Sequence, residues 1–201
     1  MKKLHVATVA SLLALAAAAS AAGAVTFDAT AAGASTRPSG SATPGSTFNQ
    51  RSPAERKPVD AVTLVVEDTG GVAFTSANGI HLSARYVGGY SGDVRTEVTG
   101  VLYHEATHVL QWDGRGRANG GLIEGIADYV RLKAGYAPGH WVKPGQGDRW
   151  DQGYDVTPGF AAQLNAKMKD GYSDDFFAQI LGKSMQPLPD AADLPSARST
   201  R

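Results

Sequence analysis

The sequence predicts an α+β fold in which a small twisted β-sheet packs on one long helix, with a second helix alongside. Three observations carry that reading. Residues 61–87 hold short β-branched or alternating runs separated by turn signals. Two stretches of helical periodicity follow, at about 93–112 and 122–134, joined by the glycine-rich turn Gly114 to Gly121. Finally, 201 residues with 42% hydrophobic and 19% charged content suit one ordinary globular domain with a real core.

The chain divides into four segments. Residues 1–24 read as a signal peptide: Lys2 and Lys3 form a basic start, Val6 to Ala19 an apolar stretch, and Ala19-Ser20-Ala21 and Ala22-Gly23-Ala24 both suit signal peptidase. That stretch is short for a membrane span. Residues 25–58 are rich in Ala, Ser, Thr, Gly and Pro and read mostly as loop. The domain proper occupies 59–186, and 187–201 form a polar tail.

Within the domain, Val62 to Val66 is a β-branched strand ended by the turn Asp68-Thr69-Gly70-Gly71. Val72 to Thr75 and Ile80 to Val87 are expected as two further strands around Asn78-Gly79. In the last of these, Ile80, Leu82, Ala84 and Tyr86 alternate with polar residues, so a half-buried strand is expected there. Asp93 is the expected N-cap of the long helix, whose apolar stripe includes Val94, Val98, Val101, Leu102 and Val109. The second helix should stop at Gly135. A Gly/Pro/Trp loop spans 136–157, and two short helices are expected around Phe160 to Met168 and Phe176 to Leu181.

Composition excludes some functions. Net charge is zero, and without Lys2 and Lys3 the 19 basic residues fall two short of the 19 acidic ones. Neither nucleic acid nor an anionic membrane is therefore expected as a partner. There is no cysteine, so an exported chain of this sequence must rely on its core and on any bound ion.

The chemistry concentrates in His104-Glu105-Ala106-Thr107-His108, an H-E-x-x-H pattern inside the long helix. Two histidines four residues apart project from one helical face and can share one Zn²⁺. Glu105 lies beside that face, placed to act as general base without ligating the metal. A third ligand is needed, and Glu124, past the glycine turn on the second helix, supplies a carboxylate; Asp128 follows one turn later, able to accept the free ring N–H of a ligating histidine. The other reading of Glu124 and Asp128 is a solvated acidic edge, and His140 is the alternative third ligand. In the long loop Tyr154 either stabilises an oxyanion as a catalytic donor or packs with Trp141 and Trp150.

Three long stretches bring a family into view: Gly100 to Glu105, Gly120 to Val130 and Gly145 to Tyr154. The chain resembles the plant basic secretory proteins, zinc peptidases of plants and bacteria associated with plant defence. The likeness runs through residues 59–157 and the closing segment to Leu181. It implies a zincin-like fold, with a metal-binding helix and a second ligand-bearing helix. It also implies Zn²⁺ on His104, His108 and Glu124, Asp128 behind the ligands, and a peptide or protein substrate. The strand expected over Ile80 to Val87 is the candidate edge for pairing with an extended substrate. The chain departs from the family pattern in two places, passing from Phe48-Asn49 through only three residues to Pro53-Ala54-Glu55-Arg56-Lys57 and carrying Pro158-Gly159 where more helix is usual. A secreted binding protein of the same fold that cleaves nothing, or a shortened inactive paralogue, is the alternative.

Overall fold

Four strands form one mixed sheet in the computed structural model, which describes residues 23–28, 44–141 and 159–182. They are β1 (Gly23–Asp28), β2 (Ala61–Glu67), β3 (Ala73–Ser76) and β4 (Gly79–Ser83), in the spatial order β1-β2-β4-β3. β1 runs antiparallel to β2, β2 parallel to β4, and β3 and β4 form an antiparallel hairpin. The hairpin turns on Ala77 and Asn78, with φ of 46° and 65°. Two successive positive φ values match the right-handed twist of the flanking strands. The turn thus sits one residue before the expected Asn78-Gly79.

Two expectations are corrected here. The strand expected over Ile80 to Val87 stops at Ser83, and Ala84–Gly89 form a short helix, α2. The Ser83 hydroxyl decides it: it accepts from the Tyr86 N–H, capping the helix, and donates to the Thr69 carbonyl. Alternation through Ala84 and Tyr86 resembled a strand, but a satisfied cap overrides so weak a pattern. Nor is β4 an edge, since it lies between β2 and β3; the edge on that side is β3. β1, in turn, puts a strand where the leader and the start of the loop segment were expected.

The helices follow the expected order. α1 (Pro44–Thr47) leads into Phe48, and a 3-10 turn covers Pro53–Glu55. α3 (Val94–Leu110) is capped by Asp93, whose carboxylate accepts from the N–H groups of Arg95 and Thr96. It ends two residues short of the expected Trp112, with Gln111 already extended. α4 (Gly120–Lys133) begins with Asn119 accepting from Gly121 N–H, two residues earlier than expected. It is left through Gly135, whose φ of 85° suits glycine. α5 (Phe160–Lys167) and α6 (Asp175–Leu181) complete the described chain.

α3 stands between two cores. Its residues Val98, Val101 and Val109 pack with Leu64, Ile80 and Leu82 of the sheet. On its other side α4 buries Leu122, Ile126 and Val130 against Phe160, Leu164 and Met168 of the closing segment, with Phe48 and Phe177. Each such side chain contributes on the order of 1.5–3 kcal/mol by leaving water. Phe48 is only 3% exposed, so the loop-like segment before the sheet still anchors the second core.

Where α3 and α4 meet, a buried ion pair joins them. Arg131 donates to the Glu97 carboxylate at 2.9 Å, and its Nε donates to the Tyr136 carbonyl at 2.9 Å. The Tyr86 hydroxyl donates to the other Glu97 oxygen at 2.9 Å. Space for the guanidinium comes from Gly100, where a Cβ would stand 2.6 Å from Arg131 Nε and 2.9 Å from the Tyr136 carbonyl. Helix propensity alone would favour Gly100→Ala by about 1 kcal/mol. Displacing Arg131 reverses that sign, and we expect the variant to unfold about 1–3 kcal/mol more easily in urea. A variant more stable than the parent would show that the helices separate without cost.

Candidate active site

The four-residue spacing puts the two histidines of H-E-x-x-H on one face of α3. His104 and His108 stand one turn apart on α3, ring centroids 4.7 Å apart and nearly perpendicular. α4 folds back after the glycine turn and brings Glu124 over them. His104 Nε2 lies 3.0 Å from His108 Nε2 and 3.1 Å from Glu124 Oε2, and His108 Nε2 lies 3.4 Å from the same oxygen. These three residues form the group of possible metal donors among the described residues. His140, the alternative ligand, is not in that group, although it lines the same cleft.

Further contacts orient these groups. Asp128, one turn past Glu124, lies 2.8 Å from His104 Nδ1 through Oδ1. That bond places a proton on Nδ1 and leaves Nε2 as the ring nitrogen that faces the cluster. Gln111 lies 2.8 Å from His108 Nδ1 through its side-chain nitrogen. Glu105 is only 5% exposed, and the Thr75 hydroxyl donates to its Oε2 at 2.7 Å. Thr75 thus fixes the expected base from the edge strand, thirty residues away in sequence.

Electrostatics follow from this crowding of carboxylates. Burial of His104 opposes its charged form, but the bonds to Asp128 and Glu124, aided by the Glu105 charge, raise its pKa to about 9. Bonds to His104 and His108 hold Glu124 far below the usual carboxylate range, against a smaller effect of burial. Burial and the bond to Glu97 push Tyr86 up to about 12, which keeps its hydroxyl a donor at neutral pH.

The cluster lies in an open cleft of about 710 Å³. β3 and the residue before it form one wall through Val72, Phe74 and Thr75, while Tyr86, Glu97 and Arg131 line the cleft beyond the histidines. Phe74, at 42% exposure, stacks on His81 with ring centroids 4.4 Å apart, and Glu67 holds His81 Nδ1 at 2.7 Å. His81 is therefore held on the sheet between Phe74 and Glu67. Tyr154 lies outside the described residues, as does most of its loop. The sequence reading missed Thr75 and Gln111. Gln111 stands one helical turn after His108, a spacing that could have found it; no local signal marks Thr75.

The His104–carboxylate bonds make the metal-free chain sensitive to pH. A raised histidine pKa contributes stability that is complete below the unfolded value of 6.5 and is lost as pH rises through about 9. The depressed Glu124 contributes stability above its unfolded value of 4.5 and loses it as pH falls. With chelator present, the melting temperature should therefore be higher near pH 6 than near pH 9.5. A flat or rising profile would mean that these bonds do not form.

None of the described helices is long and apolar enough to cross a membrane. No curated protein and no solved structure gives a significant match to the chain. A family model does: that of the BSP peptidases of plants and bacteria matches residues 10–191, spanning the sheet, both site helices and the closing segment. With nine-tenths of its length inside that match, the chain belongs to the BSP family, the peptidases of plants and bacteria.

Proposed function

We propose that this chain is an exported, zinc-dependent peptidase of zincin-like architecture. In this reading His104, His108 and Glu124 are the ligands, Asp128 orients His104, and Glu105 is the general base. The observation that carries it is the separation of the three donor atoms, 3.0, 3.1 and 3.4 Å. A tetrahedron with bonds of about 2.0–2.1 Å has edges of roughly 3.3 Å, so the donors already stand near ligand spacing. Two imidazole nitrogens and one carboxylate are a donor set that suits zinc, with a fourth position left open.

Zinc held by His104, His108 and Glu124 would supply Lewis acidity and lower the pKa of the attacking water toward about 7. The chain's own residues do the rest. Glu105 takes the proton of the attacking water on one carboxylate oxygen and returns it to the leaving amine. Thr75 holds the other oxygen and keeps the carboxylate from rotating away. An extended substrate suits the edge of β3, which no other described strand pairs, where it would add a strand along the cleft wall close to Glu105. Val72 and Phe74, both exposed, flank that edge and offer apolar contact.

Export rests on the amino-terminal leader pattern, and a role in plant defence on the family resemblance. Because β1 begins at Gly23, cleavage after Ala21 keeps the strand whole, whereas cleavage after Ala24 removes its first two residues. In this reading residues 59–186 are the peptidase domain, to whose sheet β1 adds a strand, and 187–201 are a polar tail.

Zinc per chain and hydrolysis of fluorescent casein test the proposal together. The parent should carry close to one zinc and cleave casein, and Glu124→Ala should lose most of the metal. Glu105→Gln should keep the zinc and slow turnover by about 10²–10⁴-fold. Full activity in Glu105→Gln would remove Glu105 from the mechanism; a parent that binds no zinc would end the reading altogether.

A further inference from the structure

Gln111 is 1% exposed and ends α3, its backbone N–H bonded to the Thr107 carbonyl at 2.7 Å. Its amide lies between the two ligand-bearing helices. Nε2 is 2.8 Å from His108 Nδ1 and donates to the Ile123 carbonyl, next to Glu124, at 3.2 Å. Oε1 is buried without a partner, one of two such side-chain atoms among the described residues. A buried carboxamide oxygen left unbonded costs about 1–3 kcal/mol, so its position calls for a reason.

We propose that Gln111 is the positioning residue of His108: its carboxamide oxygen takes the Nδ1 proton when Nε2 of that ring binds the metal. The inference rests on the zinc reading above. Coordination through Nε2 requires the tautomer with hydrogen on Nδ1, and that hydrogen needs an acceptor. Asp128 is the acceptor for His104. For His108 the group at Nδ1 is the Gln111 amide. With its nitrogen there, the amide donates to Nδ1 and leaves the ring hydrogen on Nε2, facing His104 and Glu124. A half-turn about the last side-chain torsion, which is soft, exchanges the two amide atoms. The unpartnered oxygen then receives a donor, and the Nε2 lone pair is freed for the centre. The turn gives up the Ile123 carbonyl, which the helical ladder of α4 also serves. In return it gains a bond from an imidazole polarised by a cation, which is stronger than a neutral one.

The rival role is structural, a strut between α3 and α4. Gln111→Glu separates the two, because a carboxylate still accepts from Nδ1 but cannot donate to Ile123. Zinc affinity of the full chain, measured by competition with a chromophoric chelator, is the main readout, with melting of the chelator-treated chain beside it. We expect Gln111→Leu to bind zinc about 10–100-fold more weakly than the parent, and Gln111→Glu to stay within about threefold of it. Both variants lose the donor to Ile123, so a strut would weaken them alike. If Leu prevents folding, Gln111→Asn keeps the amide one methylene too short and should show the same loss. Parent-like affinity in the Leu or Asn variant, or an equal loss in Gln111→Glu, would overturn the proposal and leave the peptidase reading standing. A parent that takes up no zinc would overturn both.

Discussion

His104 is gripped at both ring nitrogens by carboxylates from the same helix, and the rest of the site is arranged around that grip. Glu124 and Asp128 are four residues apart, so α4 presents them one turn apart on one face. An imidazole spans that distance when α4 crosses α3 beside it. Glu105 adds a third carboxylate close by. So much negative charge in a half-buried space demands a positive partner. In the metal-free chain the partner is the proton on His104, which explains its raised pKa. A divalent cation would replace that proton and satisfy the same field from the other side of the ring.

The helix crossing is fixed from a second place, and the two do not resemble each other. Glu97 and Arg131 pair in the interior, with Gly100 allowing the guanidinium to lie against α3. Removing either partner of such a pair leaves an unpaired charge that is strongly destabilising, although the intact pair itself adds little net stability. Its value here is geometric. Arg131 follows Asp128 by three residues, nearly one turn along α4, so the pair sets the rotation of α4 and hence where Glu124 and Asp128 point. Packing of Leu122, Ile126 and Val130 supplies the energy, and the ion pair supplies the register.

What could be read from the sequence was what lies within one element or between two regular ones. His104, Glu105 and His108 share a helix, so spacing alone placed them together. Glu124 and Asp128 were accessible because a glycine turn between two helices leaves few ways to fold back. Thr75 was not, since its bond to Glu105 depends on how the hairpin lies over α3, which no local pattern encodes. Gln111 was hidden by ordinary appearance, a polar residue at a helix end. The strand expected over Ile80 to Val87 failed because alternation persisted after Ser83 had turned the chain. β1 went unseen because Gly23–Asp28 overlaps a stretch that reads as leader and loop.

β1 occupies the edge of the sheet opposite β3, separated from it by β2 and β4. Three inter-strand spacings put the two edges about 14 Å apart. Anything joined ahead of Gly23 therefore departs from the side of the sheet away from the cleft wall. A leader, a partner domain or a purification handle attached there would leave the β3 edge free. To mask the site it would have to travel back across the sheet, a distance that takes about five extended residues. Strand order thus sets the shortest path by which an amino-terminal extension could come back to this cleft.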